Sequence, residues 1–360
     1  MKAVVVWVVV AVAGCHAAHP PPAPVRQSSL SLAMSGLSLS NGLRVVVVHD
    51  PAASEIEVTM RYRVGSVDDG ADHPGIAHLV EHLMFQQMLG AQSLFAHLED
   101  DATFFNGETS FDATTYMSRA PKAKLDELLS IEAVRVGFRC TTISEAAFER
   151  EREVVVNELR QHDTVSEAWA VLHEAIYPAG HPYRQPTIGS VDSVRTITRE
   201  QACAFADAHY APTNGVLVVS GNITPDEVIT SLKKFLARVA RRDVVAPTSV
   251  PPPPDAGRRG TASAPIDDPL LVVAWPLPPG QRERVEVDAI AVFAQSAIDG
   301  AIKGRVHEFR LGDVRAPMIG FVIEPAHDET LDEIRTSIDH ALGALPSQLR
   351  RVHSQLLGDL

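Results

Sequence analysis

The chain has 360 residues, of which 45% are hydrophobic and 21% are charged, so it is long enough for two globular domains with a sizeable core. This composition excludes a disordered tail, a coiled coil and a collagen. With 32 Lys and Arg against 45 Asp and Glu, the formal net charge is −13, which argues against a nucleic-acid partner because phosphate contacts require clustered basic residues. Three cysteines are too few for a disulfide scaffold.

The first residues have the pattern of an export signal. A single lysine precedes a short apolar run over residues 3–14, and Cys15 follows the small residues at its end. This run is too short to cross a bilayer as a helix, which takes about 20 residues. The sequence VAGC at residues 12–15 resembles the lipobox of bacterial lipoproteins, in which the cysteine is lipidated and becomes the mature N-terminus. The alternative is an ordinary signal peptide with an incidental cysteine.

We therefore predict a signal peptide over residues 1–14, and a lipidated Cys15 with a Pro-rich tether over residues 15–32. His16, rather than an aspartate, follows the cysteine, which by resemblance to lipoprotein sorting signals favours the outer membrane. The expected location is the periplasmic face of a bacterial outer membrane, with the lipid anchor as the membrane contact.

Strands and helices mix along residues 33–244 without a regular β-α-β repeat or a Gly-rich phosphate loop. Residues 56–64 alternate apolar and polar side chains, which predicts a half-buried strand. Capping patterns indicate helix starts near residues 142, 198 and 224. The predicted elements in chain order are strands at 43–48 and 56–64, helices at 75–90, 122–138 and 143–162, a helix after Thr198, a strand at 216–219 and a helix after Thr224. This order predicts an α+β fold rather than a doubly wound sheet.

The composition changes at residues 245–265, where four consecutive prolines indicate a linker. The predicted elements beyond it are strands at 270–275 and 318–323 and helices at 283–300 and 329–344. We therefore expect a first domain at 33–244 and a shorter piece at 266–360.

The segment HLVEH at residues 78–82 lies in a predicted helix. His78 and His82 are four residues apart and share one helix face, so both imidazoles can reach one Zn²⁺ ion. Glu81 flanks that face, where it can accept the proton of a water that attacks a carbonyl and carry it to the leaving amine. The alternative is a pair of exposed histidines beside a solvated glutamate.

A catalytic zinc usually has three protein ligands, and the predicted helix at 143–162 offers the third. Glu158 lies beside an apolar run, where a carboxylate is costly to bury unless a cation meets it. Glu151 is two turns earlier on the same face and could orient the site. The alternative is that both glutamates belong to a solvated, charged helix face.

These residues resemble the insulinase/pitrilysin metallopeptidases, the inverzincins, whose motif is an inverted H-x-x-E-H. The resemblance covers about residues 33–240. In chain order it includes Asn41-Gly42-Leu43, Gly65-Ser66, Gly75-Ile76-Ala77-His78, Asn106-Gly107-Glu108-Thr109, residues 149–158, Tyr183 with Gly189, and Tyr210-Ala211-Pro212-Thr213-Asn214.

The resemblance implies roles for particular residues. The family's third ligand lies about 76 residues beyond the second histidine, where this chain has Glu158, and a second glutamate precedes it by seven, as Glu151 does. The segment near Asn106 would be an edge strand against which an extended peptide lies. The alternative for Asn106 is a turn, since Asn-Gly is a turn signal.

The resemblance also implies antiparallel sheets with packed helices, in a clamshell-half of two homologous domains. Residues 266–360 resemble only the front part of the family's second domain, so we expect that domain to be incomplete here. It implies a zinc metalloendopeptidase that acts on peptides or unfolded protein segments. Active members also need an Arg and a Tyr, seven apart, from the second domain of the opposing half. The corresponding region, 305–323, has Arg305 and Arg310 but no Tyr, so we expect a homologous partner subunit to supply the pair.

Two other functions stay open. One is a non-catalytic interaction or scaffold subunit of a peptidase complex, and the other is zinc-dependent hydrolysis of a substrate other than a peptide. Cys140 and Cys203 could pair in an oxidising compartment, but the sequence does not show that they are close.

Overall fold

The computed structural model describes residues 32–358 apart from residue 139 and residues 162–163, 252–269, 278, 281–284 and 312–313. The predicted signal peptide, Cys15 and almost all of the 15–32 tether lie outside the described residues, as does most of the 245–265 linker. Among the described helices, none is both long and apolar enough to cross a membrane.

The described strands and helices alternate irregularly along the chain. The strands are β1 (Ala33–Ser38), β2 (Arg44–His49), β3 (Ile56–Tyr62), β4 (Met88–Leu89), β5 (Gln92–Ser93), β6 (Phe104–Thr109), β7 (Thr114–Ala120), β8 (Gly215–Gly221), β9 (Leu271–Pro276), β10 (Arg305–Leu311) and β11 (Met318–Glu324). The helices are α1 (Ile76–Phe85), α2 (Leu94–Asp101), α3 (Leu125–Val136), α4 (Glu145–Gln161), α5 (Thr164–Ile176), α6 (Val191–Thr196), α7 (Arg199–His209), α8 (Pro225–Lys234), α9 (Val285–Asp299) and α10 (Leu331–Gly358).

Six strands form the main sheet, in the order β1-β2-β8-β3-β7-β6. Neighbouring strands are antiparallel except for β2 and β8, which are parallel. The predicted α+β fold with antiparallel sheets is therefore confirmed, with one parallel pair added. Of the strands that the structure describes, only β7 pairs with β6, so one side of the β6 backbone is available for another extended chain.

One face of β3 lies at the centre of the hydrophobic core. Ile56, Val58, Met60 and Tyr62 are buried, whereas the three residues between them are at least partly exposed. The alternation of apolar and polar residues in the sequence is thus the alternation of the two sheet faces. Side chains from α1, α3 and α7 complete the same core, so the helix with the two histidines is fixed directly on the sheet.

The second sheet belongs to the shorter piece of the chain. It is antiparallel with the order β10-β11-β9, and α9 and α10 pack on it. The order strand, helix, hairpin, helix repeats that of β3, α1, β6-β7 and α3, and the strand order β10-β11-β9 repeats β6-β7-β3. In its topology, the second piece therefore matches the front part of the first domain.

Several elements differ from the sequence predictions. The helix predicted at 75–90 ends at Phe85, and α10 continues to Gly358 instead of ending at residue 344. The patterns do not predict eight elements, β1, β4, β5, β7, β10, α2, α5 and α6. In β7, the buried face consists of Thr114, Tyr116, Ser118 and Ala120, so burial is not accompanied by an aliphatic pattern. Gly343 and Pro346 are residue types that usually end a helix, but both lie inside α10.

A disulfide joins Cys140 and Cys203, whose Cα atoms are 5.4 Å apart. Cys140 lies in the turn that precedes α4, and Cys203 lies on α7, which packs against α1. The bond therefore ties the start of the helix that carries Glu151 and Glu158 to the helix behind the two histidines.

Candidate metal centre

The histidine-bearing helix begins at a position that requires glycine. Gly75 has φ of +93°, and a Cβ there would lie 2.5 Å from the carbonyl oxygen of Ile188. The buried Asp69 carboxylate then accepts hydrogen bonds from the backbone nitrogens of Gly75, at 2.7 Å, and Ala77, at 3.0 Å. Burial raises the pKa of Asp69 well above its usual range although these two hydrogen bonds lower it. A carboxylate at this helix end satisfies free N–H groups and fixes the start of α1.

His78 and His82 lie one turn apart on α1, with their ring centroids 4.9 Å apart. Glu158 approaches them from α4, which packs against α1. Its Oε2 atom is 3.9 Å from His78 Nε2 and 3.6 Å from His82 Nε2. The three predicted ligands therefore meet at one point, although 76 residues separate Glu158 from His82 in the sequence.

This trio fits a zinc ion. One donor atom from each of His78, His82 and Glu158 lies within 4.8 Å of the other two, and no other group of this kind occurs among the described residues. Ligand atoms about 2.0–2.1 Å from a tetrahedral zinc lie about 3.4 Å from one another. The separations of 3.6 and 3.9 Å are close to that value, and imidazole with carboxylate is a donor set that zinc accepts.

Glu151, the predicted orienting residue, lies behind this trio. Its side chain is buried, and its Oε2 atom is 3.7 Å from His82 Nδ1, the ring nitrogen on the far side from Glu158. Arg150 donates to the other oxygen at 3.2 Å. Burial lowers the pKa of His82, but hydrogen bonds to Glu151 and Glu158 outweigh burial and raise the pKa to about 9. His82 thus has a carboxylate on each side of its ring.

Glu81 projects from the same helix towards the edge strand β6. The hydroxyl of Thr109 donates a 2.7 Å hydrogen bond to Glu81 Oε2, and Gly107 leaves the space that Glu81 Oε1 fills. Burial raises the pKa of Glu81, while the Thr109 hydrogen bond and the nearby His82 lower it. The sequence patterns do not predict this role of Thr109. The signal that could have found it is the two-residue spacing of Gly107 and Thr109, which puts them on one face of a strand.

Asn106 lies in the middle of β6, between Phe105 and Gly107, and pairs with Met117 of β7. It is exposed at the open edge of the sheet. The alternative of an Asn-Gly turn is therefore wrong, because both residues are in extended strand. Asn106 also borders the cleft that contains the trio, which has a volume of about 770 Å³. The cleft is lined on its other sides by residues of α1 and α4, and its apolar lining includes Phe85 of α1, Phe95 of α2 and Val154 of α4.

Comparisons with known proteins bear on this constellation. The family model described as "Insulinase (Peptidase family M16)" matches residues 44–189. A second family model, described as "Peptidase M16 inactive domain", matches residues 196–294. The chain belongs to peptidase family M16. The expected relation to the insulinase/pitrilysin metallopeptidases is therefore confirmed, and the first match contains every residue of the candidate site.

This M16 chain is similar to curated proteins from both bacteria and eukaryotes. An uncharacterized zinc protease of Mycobacterium leprae is 30% identical over 238 residues, which are 65% of this chain and 52% of that protein. A Schizosaccharomyces pombe protein named probable mitochondrial-processing peptidase subunit beta is 26% identical over 206 residues, 56% of this chain and 44% of that protein. The chain spans about half the length of the curated relatives it matches. The zinc protease name agrees with the predicted cofactor, Zn²⁺.

A solved structure supports the fold. The protease from Helicobacter pylori superposes with a TM-score of 0.71 and 22% identity, over 87% of this chain and 79% of that one. The architecture of this M16 chain is therefore that of a known peptidase structure.

Proposed function

We propose that this chain is a zinc-dependent endopeptidase acting on peptides or unfolded protein segments. The observation that supports this best is the meeting of His78, His82 and Glu158 at one point, with Glu81 beside them and an open strand edge across the cleft. All four of these residues lie in the insulinase match at residues 44–189, and none lies in the match to the inactive domain.

Each side chain has a distinct task in this proposal. His78, His82 and Glu158 hold the zinc, which when bound polarises the scissile carbonyl and lowers the pKa of water. Glu81 takes the proton from the attacking water and passes it to the leaving amine. Burial keeps the pKa of Glu81 above its usual range, nearer to neutral pH, where a general base exchanges protons most effectively.

The neighbours of these groups hold them in position. The Thr109 hydroxyl fixes the Glu81 carboxylate, and Glu151 orients the ring of His82. The free edge of β6, where Asn106 lies, supplies backbone N–H and C=O groups that can pair with an extended peptide. Pairing through the backbone would make binding largely independent of peptide sequence.

The proposal includes a homologous partner subunit. Arg305 pairs with Glu324, Arg310 pairs with Asp288 and Glu308, and Arg315 pairs with Asp112. All three arginines in the expected region are therefore engaged within this chain. Tyr210 is the last tyrosine in the sequence. The relative named as a subunit of the mitochondrial-processing peptidase supports a paired assembly. A partner would bring the substrate-holding Arg and Tyr.

The alternative is a scaffold subunit without catalysis, which the match of residues 196–294 to an inactive M16 domain favours. The test is cleavage of a quenched peptide library by residues 16–360, with the isosteric Glu81→Gln variant as the control. Zinc content is measured for both. Cleavage that disappears in Glu81→Gln, at equal zinc content, supports a self-sufficient peptidase and removes the need for a partner.

If neither protein cleaves the library alone, the assay is repeated with a homologous M16 chain that has the Arg and Tyr. Cleavage that appears with that partner and disappears in Glu81→Gln supports the paired enzyme. No cleavage with the partner contradicts the peptidase proposal and leaves the scaffold.

We also propose that the chain is exported and held by a lipid on Cys15. The disulfide between Cys140 and Cys203 supports an oxidising compartment. Metabolic labelling with a radioactive fatty acid should mark the wild-type chain and leave the Cys15→Ser variant unlabelled. An unlabelled wild-type chain would contradict lipidation.

A further inference from the structure

We propose that Arg315, in the segment between β10 and β11, is a positioning residue for the candidate site. This inference rests on the proposed function for its catalytic consequence and on contacts in the structure for its physical basis. Arg315 belongs to the second piece of the chain, yet its side chain lies against the first domain.

Two buried carboxylates of the first domain surround the guanidinium. Arg315 Nε is 3.0 Å from Asp112 Oδ1, and the Arg315 backbone nitrogen donates to Asp112 Oδ2 at 2.8 Å. Arg315 Nη2 is 4.0 Å from Asp68 Oδ2, and Nη1 donates to the carbonyl of Thr248 at 2.9 Å. The Asp68 and Asp112 side chains are only 1% and 4% exposed, so the cation is close to two carboxylates that water scarcely reaches.

Asp112 lies in the turn that joins β6 to β7, and β6 is the strand edge that borders the cleft. The hydroxyl of Tyr183 also donates to Asp112 Oδ2, at 2.5 Å, and the Phe111 ring stacks on Tyr183 at 4.4 Å. The position of this carboxylate therefore sets the end of the edge strand that carries Thr109, the hydrogen-bond donor to Glu81.

Asp68 lies in the turn at Ser66–Asp68, directly before Asp69, which holds the first turn of α1. The backbone nitrogens of Ser66 and Val67 donate to the carbonyls of Ser110 and Phe111, each at 3.1 Å. The turn before the histidine helix and the turn after the edge strand are thus joined to each other. Arg315 contacts one carboxylate from each turn, Asp68 from the first and Asp112 from the second.

The charges indicate what Arg315 does. Two buried carboxylates repel each other and are costly to hold without a cation. If the guanidinium is removed, the two carboxylates repel each other and one of the two turns must move; both turns lead directly into the site. A displacement of about 1 Å between reacting groups lowers an enzymatic rate by about 100-fold. Arg315 therefore fixes the position of α1 relative to β6, although it lies outside the site itself.

The test compares Arg315→Met with Arg335→Met in the full chain. Arg335 is the matched control because it is on α10 and pairs with Asp332 at the surface. The first readout is hydrogen exchange, which does not depend on activity. Exchange in Arg315→Met should rise over residues 65–77 and 104–113 and stay near wild type elsewhere. In Arg335→Met, exchange in both segments should be unchanged.

The second readout separates KM from kcat with a cleaved peptide. Arg315→Met should lower kcat by about 10- to 100-fold, with a smaller change in KM, because α1 and the Thr109 contact to Glu81 are displaced from the reacting atoms. The double variant Asp112→Asn/Arg315→Met should recover most of this loss, since the uncompensated charge is gone. Unchanged exchange in the two segments, or a rise spread evenly over the chain, would overturn the proposal. If the wild-type chain cleaves nothing, the proposed function fails, and hydrogen exchange still decides the role of Arg315.

Discussion

Replacing Thr109 by valine should raise the pKa of Glu81 and move the acid limb of the pH–rate profile. Valine has nearly the shape of threonine, so the edge strand keeps its packing while one hydroxyl is lost. That hydroxyl donates the 2.7 Å hydrogen bond to Glu81 Oε2. Glu81 is only 6% exposed, so water cannot fully replace the lost donor.

The size of the effect follows from this geometry. A hydrogen bond to a charged group contributes about 1.5–3 kcal/mol, and 1.36 kcal/mol corresponds to one pKa unit. Because the bond stabilises the ionised carboxylate, its loss raises the pKa of Glu81 by about 1–2 units. The base is active only when ionised, so activity in Thr109→Val should fall at a pH about 1–2 units higher than in wild type.

The assay is kcat/KM for one quenched peptide between about pH 5 and 9, with zinc content measured at each pH. Thr109→Ser is the control, because it keeps the hydroxyl and should leave the acid limb within about 0.3 units of wild type. An acid limb that stays in place in Thr109→Val, with zinc retained, would show that Thr109 does not hold the ionised base and would refute this reasoning.

Five further predictions follow from the site and its supports. Glu151→Gln should weaken zinc binding by about 10- to 100-fold in a chelator competition, since it removes the carboxylate beside His82; unchanged affinity would contradict its orienting role. Zinc binding at pH 7.5 should release about one proton, measured by calorimetry in two buffers, because the pKa of metal-free His82 is raised to about 9. For the same reason, the stability that protonated His82 gives the metal-free chain should be full below about pH 6.5 and lost as pH rises through 9; a flat melting temperature over this window would contradict it. Asp69→Ala should lower the free energy of unfolding in urea by about 1–3 kcal/mol, because two backbone donors at the start of α1 lose their acceptor. Replacing Cys140 and Cys203 by serine should lower the free energy of unfolding by about 2–4 kcal/mol, since the disulfide closes a loop of 63 residues.

The sequence predicts the local part of the site better than the distant part. The spacing of His78 and His82 fixes their common face once the segment is helical, and no tertiary contact is needed to infer it. Glu158 is different, because the charged face of α4 offers several glutamates. Packing against α1 buries Glu151, whereas the side chains of Glu149 and Glu153 stay about half exposed. Before the structure is known, only the family spacing, and not the pattern of the helix, distinguishes Glu151 and Glu158 from the other glutamates of α4.

The supports of the site were harder to predict. Thr109 meets Glu81 through the pairing of β6 with β7, and β7 lacks the apolar alternation that would predict a strand. Arg315 reaches Asp112 across 203 positions of the sequence. Such contacts are fixed by sheet order and by the docking of two sheets, which a local pattern does not determine.

The repeat of the strand order has a consequence for handling the protein. β3 has β7 on one side and β8 on the other, whereas β9, its counterpart, has only β11 among the described strands. In the described part of the chain, no strand pairs with the outer side of β9, and Trp275 on this strand is 38% exposed. An open edge with an exposed aromatic side chain is a template for aggregation. Solubility of the purified chain should thus fall with concentration, and a lysine in place of Trp275 should improve it.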